Sequence, residues 1–372
     1  MEYPGWPLGC RAKQMLRKEL PFRLESHQDN MNTAGIGLIV AGSGVALLGA
    51  GVRWAQADAA SPGPALRPVA TIALPGGVGK RFDYLTIDEA RGRLWSAHLG
   101  ANVIYVIDLK TNKLFKTVTD TPGAEGVEVV PELNKVYTSN WGDHSIGVID
   151  GTRLQVVKKI PALNKPDGNA YAAPFHKLYV SDERAKTLLV VDVRTDEVVK
   201  KIPFGSETGM PQYDSVARKV YLNLQESNRF VVIDPATDRV EGNYPVGSCV
   251  GNHGMALDPT RHLAFLACEG NDQLTVFDVA AHRPVAQVKL PGGGDVVKYD
   301  AGLRRVYVAC YSGFISVVQA VDATHFVKLQ DVPVPKKVHS LAVDQRTHRV
   351  YAPEQEADGK PVARMVVYEA RP

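Results

Sequence analysis

A pattern of about 42 residues recurs along most of the chain and limits the folds that it can adopt. Short apolar segments appear as YVID, GVID, LVVD, VVID and TVFD, and their last residues are Asp108, Asp150, Asp192, Asp234 and Asp278. A second series with steps of 42 or 44 residues begins at Leu94, Val136, Leu178, Val220, Ala264, Val306 and Val350. Two independent markers in the same phase indicate seven copies of one structural unit.

Each copy contains four short stretches that are rich in β-branched residues. In the second copy these stretches read GVEVV, KVYTSN, SIGVID and QVVKKI, and turn-forming segments such as Trp141-Gly142-Asp143 separate them. Four strands in about 42 residues is the pattern of a β-propeller blade. We therefore predict an all-β protein in which residues 58–372 form a seven-bladed β-propeller with four antiparallel strands per blade.

The two ends of the repeat region complement each other. The segment LRPVATIAL, residues 66–74, has the pattern of a fourth strand, whereas the last copy ends at VVYEARP and has no fourth strand of its own. An open sheet edge would invite aggregation. The sequence therefore predicts that the N-terminal strand completes the C-terminal blade and closes the ring.

The first 57 residues read as a leader. Residues 35–52 form a charge-free apolar run, and Ala55-Gln56-Ala57 after it is a small-x-small site. This layout predicts a secretory signal peptide that is cleaved after about Ala57, with Met1 or Met31 as the start, and export to the periplasm or the medium. The alternative is an uncleaved anchor, which is the only membrane contact that we expect.

Net charge and cysteine content add two expectations. The chain of 372 residues has a formal net charge of +3, so bulk charge gives no support for a nucleic-acid partner. Cys249 and Cys268 fall on the same face of the fifth copy, where they either form a disulfide or remain free thiols. In the first case we expect Cys310 to be a free, buried thiol.

A predicted ring of polar residues surrounds the central channel, because the first strand of each propeller blade lines the axis. The starts of the seven first strands align at Asp83, Glu125, Asp167, Met210, His253, Asp295 and His339. The second strands end on the same face, since consecutive strands are antiparallel. From both sets we predict ligand-binding residues at Asp83, His98, Asp167, Asp182, Asp295 and Glu354. By contrast, aspartates that end first strands, such as Asp88 and Asp344, are predicted to form hairpin turns.

Two interpretations of this ring stay open. Its side chains either solvate a water-filled channel and cap strand ends, or they act together on a ligand. In the second case Glu125, His253 and His339 are candidate ligands of one divalent cation, Ca²⁺, Mg²⁺ or Zn²⁺. His253 and His339 are also the candidate catalytic groups for proton transfer. No HExxH, DxDxDG, CxxCH or GxSxG motif is present.

The segments VYTSN, LYVSD and VYVAC, each followed by a strand of the VxVID type, resemble the YVTN-repeat, YncE-like β-propeller family. The resemblance covers roughly residues 66–372 and implies an exported seven-bladed propeller. Related propellers, namely lactonases of the gluconolactonase and regucalcin kind and virginiamycin B lyase, hold a central metal. Only that location carries over, because Asp83, Glu125, His253 and His339 do not match either site residue by residue.

Two functions fit these observations. The first is a binding or scaffold module, monomeric, that takes a small molecule or a periplasmic protein at the channel face. The second is a metal-assisted hydrolase or lyase, similar to a lactonase, with its site at the channel mouth. The absence of a catalytic motif favours the first function.

Overall fold

A four-stranded antiparallel sheet is the repeated element of the fold, and it occurs seven times in the described residues. The computed structural model describes residues 64–371, so the predicted leader and its cleavage site lie outside the described residues. The prediction of an all-β, seven-bladed propeller is confirmed. In the described part of the chain, no helix has the length and apolar character needed to cross a membrane.

The strands follow the repeat of the sequence. The first blade contains β2 (Leu85–Asp88), β3 (Arg93–His98), β4 (Val103–Asp108) and β5 (Lys113–Val118). The second contains β6 (Ala124–Val130), β7 (Lys135–Asn140), β8 (Ser145–Asp150) and β9 (Gln155–Pro161). The third contains β10 (Pro166–Ala172), β11 (Lys177–Asp182), β12 (Thr187–Asp192) and β13 (Glu197–Pro203). The fourth contains β14 (Thr208–Asp214), β15 (Lys219–Leu224), β16 (Arg229–Asp234) and β17 (Arg239–Pro245).

The remaining three blades continue in the same order. The fifth contains β18 (Asn252–Asp258), β19 (Leu263–Cys268), β20 (Gln273–Asp278) and β21 (Arg283–Lys289). The sixth contains β22 (Gly294–Asp300), β23 (Arg305–Cys310), β24 (Phe314–Ala320) and β25 (Phe326–Pro333). The seventh contains β26 (Ala342–Asp344), β27 (Arg349–Ala357), β28 (Lys360–Ala370) and β1 (Leu66–Ala73). Short 3₁₀ turns span Leu99–Ala101, Pro131–Leu133, Trp141–Asp143 and Ala173–Phe175.

The N-terminal strand closes the ring, as predicted. Strand β1 pairs antiparallel with β28, and Thr71 lies opposite Val366 in this pairing. The seventh sheet therefore has the order β1-β28-β27-β26, with its outermost strand drawn from the other end of the described chain. This arrangement ties the first residues of the repeat region to the last ones.

The hydrophobic core lies between neighbouring blades. Phe265 of the fifth blade and Val308 of the sixth are fully buried in one apolar cluster. Each blade is covered on both faces, which explains why its middle strands are almost entirely apolar. Salt bridges between blades reinforce the apolar contacts. For example, the Nζ atom of Lys135 in the second blade lies 2.7 Å from Oδ1 of Asp196 in the third.

The repeated aspartates form the hairpins, and this prediction is also confirmed. The carboxylate of Asp88 accepts a hydrogen bond from the backbone N–H of Arg91 at 3.0 Å. Asp344 accepts one from the backbone N–H of Arg346, also at 3.0 Å. These side chains replace a backbone partner at the tight turn that follows a first strand ending in Asp.

The cysteines adopt the first of the two arrangements considered. Cys249 and Cys268 form a disulfide that joins the segment before β18 to the end of β19. Among the described residues, Cys310 is a free thiol, and it is buried. The disulfide therefore stiffens the fifth blade next to the channel.

A β-bulge at the start of the first strands sets the direction of the ring side chains. The pairing of first and second strands shifts register between Ala124 and Val127 in the second blade, and between Asn252 and Met255 in the fifth. Such a bulge reorients the side chain at the irregularity. The fourth blade corrects the sequence alignment: Thr208 lies opposite Leu224, so Gly209, and not Met210, occupies the ring position.

Candidate functional site

Ionisable side chains converge at one end of the channel, where the first strands begin and the second strands end. We call this group the channel-mouth cluster, and its members are Arg81, Asp83, Glu125, Lys165, Asp167, Glu183, His253, Glu269, Asp295 and His339. Six of them were predicted from the sequence as ring residues: Asp83, Glu125, Asp167, His253, Asp295 and His339. Most of these carboxylates are almost completely buried, and buried charges of this density require specific partners.

His253 lies at the centre of the cluster. Its Nδ1 atom is 3.0 Å from Oδ1 of Asp295 and 3.5 Å from Oε1 of Glu269. Its Nε2 atom is 3.5 Å from Oδ2 of Asp167 and 3.5 Å from the Tyr84 hydroxyl. One imidazole therefore joins the first, third, fifth and sixth blades across the channel.

Lys165 serves a second group of carboxylates. Its ammonium group contacts the carboxylate of Glu183 directly and lies 3.7 Å from Oε1 of Glu125. The same ammonium group is 5.6 Å from the centre of the Trp141 ring, which adds a cation–π contact. Lys165 thus supplies a built-in positive charge to this side of the mouth.

A third contact set closes the ring between the first and seventh blades. Nη2 of Arg81 lies 3.1 Å from Oδ2 of Asp83, and Nε2 of His339 lies 4.0 Å from the same oxygen. The imidazole of His339 stacks on the ring of Tyr311, with 4.5 Å between the ring centres. Its Nδ1 atom lies 2.9 Å from the Lys337 carbonyl oxygen, while Nε2 has no hydrogen-bond partner within residues 64–371.

The charges of the cluster shift the pKa of its central imidazole. Burial alone lowers the pKa of His253, but the hydrogen bonds to Asp167 and Asp295 outweigh burial and raise it well above its usual range. Burial raises the pKa of Asp167 and Asp295, but the interaction with His253, together with the charge of Lys165 near Asp167 and of Arg81 near Asp295, lowers the pKa of both below its usual value. These shifts favour the protonated form of the His253 imidazole and the ionised form of both carboxylates.

Two other carboxyl groups of the cluster, those of Glu125 and Glu269, have pKa values that shift in the opposite direction. Burial and the nearby charge of Asp167 raise the pKa of Glu125 well above its usual range. Burial and the charge of Asp295 raise the pKa of Glu269 to about 7. The cluster thus contains carboxyl groups with raised pKa values next to carboxyl groups with lowered ones. Such pairs of an acid and a base are a feature of functional sites.

Three predicted ligand residues lie apart from this cluster. His98 is buried and stacked on Phe82, with its Nε2 atom 3.2 Å from the Lys80 carbonyl oxygen. Asp182 accepts backbone hydrogen bonds from the loop before β10, including one of 2.8 Å from the N–H of Lys165. Glu354 pairs with Arg364, with 2.6 Å between the carboxylate and the guanidinium. Each of these side chains satisfies a partner in its own blade.

Sequence reasoning missed Arg81, Tyr84, Lys165 and Glu183, although the repeat contains a signal for three of them. Arg81 and Lys165 each stand two residues before a ring position. Glu183 directly follows the last residue of a second strand, as Glu269 and Tyr311 do in their blades. Aligning the copies two residues before each ring residue, and one residue after each second strand, would have identified these three.

The candidate metal ligands are divided between two groups. Among the described residues, one group of potential ligand atoms comprises His253, Glu269 and Asp295, and the other comprises Glu125, Asp167 and Glu183. The predicted set of Glu125, His253 and His339 is therefore split, and His339 belongs to neither group. Glu125 belongs to the group that Lys165 already serves, and His253 belongs to the group closer to the solvent.

Comparisons with known proteins show similarity in fold and none in sequence family. No model of a known family matches the chain, and no curated protein matches it in sequence. The chain is similar to a solved structure of the mitotic checkpoint complex, with a TM-score of 0.70 and 11% identity over 82% of this chain and 92% of that chain. It is similar to Kuenenia stuttgartiensis hydrazine synthase, with a TM-score of 0.66 and 16% identity over 76% and 94% of the two chains. The RRP9 WD40 repeats match with a TM-score of 0.67 and 10% identity over 82% and 97%. At these identities the likeness shows a β-propeller fold alone.

Proposed function

We propose that the protein is a binding module whose channel mouth takes the positively charged group of a ligand. The observation that carries this proposal is the excess of carboxylates over cations in the channel-mouth cluster. Arg81, Lys165 and His253 supply the cations. The carboxylates that face them are Asp83, Glu125, Asp167, Glu183, Glu269 and Asp295. A concave site with excess negative charge attracts cations and concentrates them near its mouth.

Two partly exposed side chains support access from solvent. The side chain of Glu269 is 36% exposed, and Tyr311 is 37% exposed. Two aromatic rings lie at this mouth: Tyr311, which stacks on His339, and Trp141, which contacts Lys165 and Arg184. Aromatic faces and carboxylates together recognise ammonium and guanidinium groups. The cationic group belongs to a small molecule or to a side chain of a protein partner.

Charge reversal at Glu269 tests the proposal. We would titrate spermidine and arginine amide into the wild-type protein and the Glu269→Lys variant by calorimetry, and repeat affinity capture from periplasmic extract with both. Binding that weakens at least tenfold in Glu269→Lys supports the proposal. Glu226→Lys is the matched control, because Glu226 is ion-paired with Lys186 at 2.6 Å and lies outside the channel-mouth cluster. No bound cation or partner, or equal binding by both variants, contradicts the proposal.

A second function, a metal-assisted hydrolase or lyase, is favoured by one specific observation. The pKa of buried Glu125 is raised, while that of neighbouring Asp167 is lowered. Such a pair supplies an acid and a base in one site. Turnover of lactones that Glu125→Gln abolishes would establish this function. Absence of turnover with added divalent metals would contradict it and favour the binding module.

We also propose export, and membership of the YVTN-repeat, YncE-like family. The Cys249–Cys268 disulfide supports export, because disulfides persist in oxidising compartments. The buried tyrosines of the VYTSN and LYVSD segments, Tyr137 and Tyr179, support the family. Intact mass of the protein isolated from its own cells tests export: a chain that begins near residue 58 is expected, and a full-length cytoplasmic chain would contradict it.

A further inference from the structure

We propose that His253, Glu269 and Asp295 bind one divalent transition-metal ion, for which Zn²⁺ is the probe. The inference rests on the proposed function, since it names the chemical class of the cation that the channel mouth takes. The three side chains offer one imidazole nitrogen and two carboxylate oxygens that all lie within 4.8 Å of one another. A mixed nitrogen and oxygen set suits borderline ions such as Zn²⁺.

The distances between the ligand atoms fit a shared ion. With metal–ligand bonds of about 2.1 Å, neighbouring ligand atoms stand about 3.0 Å apart in octahedral geometry and about 3.4 Å apart in tetrahedral geometry. Nδ1 of His253 is 3.0 Å from Oδ1 of Asp295 and 3.5 Å from Oε1 of Glu269. An ion can therefore bind at Nδ1 in place of its proton with only small side-chain movements.

The second nitrogen of His253 has the partner that a metal-bound histidine needs. Nε2 lies 3.5 Å from Oδ2 of Asp167, on the side of the ring opposite to Nδ1. Metal-binding histidines usually donate their other ring N–H to a carboxylate, which fixes the orientation of the ring. Asp167 is accordingly a positioning residue for this site.

One nitrogen of a buried imidazole in the channel-mouth cluster also lacks a hydrogen-bond partner among the described residues. His339 is 2% exposed, and its Nε2 atom makes no hydrogen bond. The backbone N–H of Val296, the residue after Asp295, donates a hydrogen bond to the His339 carbonyl oxygen at 3.2 Å, so His339 and Asp295 are neighbours in the ring. An unsatisfied buried nitrogen requires an explanation, and a water or ligand on the bound ion would satisfy it.

The other group of carboxylates does not compete for the ion. The ammonium group of Lys165 already contacts Glu183 and lies 3.7 Å from Oε1 of Glu125. The three ligands of the proposed site include a partly exposed one, Glu269, with 36% of its side chain in solvent. The proposed site is therefore the one that an ion reaches from the channel mouth.

Calorimetric titration with ZnCl₂ tests the inference on untagged protein after chelator treatment. We expect one ion per chain in the wild type, and affinity about 100-fold lower in Glu269→Gln and in Asp295→Asn. Asp167→Asn should weaken binding by about 10-fold, as loss of an orienting carboxylate does. Glu226→Gln, which removes an exposed carboxylate outside the channel-mouth cluster, should bind as the wild type does. Glu269→Gln keeps the test valid if Asp295→Asn does not fold, because its side chain is partly exposed.

The outcomes separate the inference from the function on which it rests. Zn²⁺ binding that is absent, or unaffected by Glu269→Gln, overturns the metal site. If in that case spermidine, arginine amide or a captured protein still requires Glu269, the binding function stands without a metal. If neither Zn²⁺ nor these cations bind, both are wrong.

Discussion

The Nε2 atom of His253 lies 3.5 Å from Oδ2 of Asp167, although the two residues belong to the fifth and third blades. The blade between them has Gly209 at the ring position, so no side chain stands in the gap. A Cβ atom on Gly209 would lie 3.0 Å from the His253 carbonyl oxygen. The absence of one side chain therefore allows one imidazole to join carboxylates from both sides of the channel.

Glycines next to the ring allow the blades to approach the axis, and Gly254 provides a test. A Cβ atom at this position would stand 1.9 Å from the backbone oxygen of Asp295, which belongs to the sixth blade. Because a backbone oxygen cannot rotate away, Gly254→Ala should lower the free energy of unfolding by about 3 kcal/mol. Urea denaturation of the variant measures this loss.

Gly168→Ala is the matched control, since Gly168 follows a ring residue in the same way. Its Cβ atom would meet the sulfur of Met210, a flexible side chain that can move, at 2.7 Å, and would lie 3.2 Å from Cδ of Pro211, so the neighbours need to give by only a few tenths of an ångström. We expect a loss of about 1 kcal/mol or less. Equal losses of unfolding free energy in the two variants would show that Gly254 is not required for the close approach of the fifth and sixth blades.

Burial of His98 predicts a loss of stability in acid. Burial lowers its pKa from 6.5 to about 4, despite hydrogen bonds to backbone carbonyls that act in the other direction. The unfolded chain therefore takes up a proton near pH 6.5 that the folded protein accepts only near pH 4. The titration of His98 costs no stability above pH 6.5, and it lowers the free energy of unfolding by about 3 kcal/mol as the pH drops to 4.

Urea denaturation at pH 7 and pH 4.5 measures this effect in the wild type and in His98→Phe. The difference between the two pH values should shrink in the variant, even though its absolute stability also changes. His325→Gln, which removes an exposed imidazole, should keep the wild-type difference. An unchanged pH difference in His98→Phe would mean that His98 titrates normally.

Because β1 closes the ring, we expect removal of this short segment to lower the stability of the protein strongly. Deletion of residues 66–74 removes the strand that pairs with β28 and exposes the edge of the seventh sheet. The melting temperature should fall by more than about 10 °C, and the deletion variant should aggregate. Circular dichroism on heating and light scattering measure the two effects. A melting curve like that of the wild type would show that the ring is stable without this strand.

The disulfide of the fifth blade predicts a defined pattern of thiol reactivity. Cys249 and Cys268 are 19 residues apart, and closing a loop of this length stabilises a protein by about 3 kcal/mol. Reductant should lower the melting temperature of the wild type and leave that of Cys249→Ser unchanged. After unfolding without reductant, alkylation should label Cys310 and neither of the paired residues. Labelling of all three by mass spectrometry would exclude the disulfide.

The repeat made the fold and much of the site predictable. Apolar alternation and turn-forming aspartates are local signals, so seven blades, their strands and the Asp88-type hairpins follow from the sequence. Closure by residues 66–74 also follows, because a missing strand at one end matched a surplus strand at the other. Asp83 and Asp167 could be assigned to one ring because their positions recur with the period of the blade.

Only the tertiary structure decided which of these side chains meet. A β-bulge in the first strands of the second to sixth blades turns their ring residues into the channel, and the one-residue offset from Met210 to Gly209 follows from strand pairing. The Lys165 ammonium group lies among one set of carboxylates, and the His253 imidazole contacts three carboxylates. Both arrangements arise because blades far apart in sequence converge on the axis. The sequence by itself determined the repeat and the types of side chain around the channel. Their distances, partners and pKa values arise from close packing at the axis, since burial and charge depend on neighbours that no local pattern records.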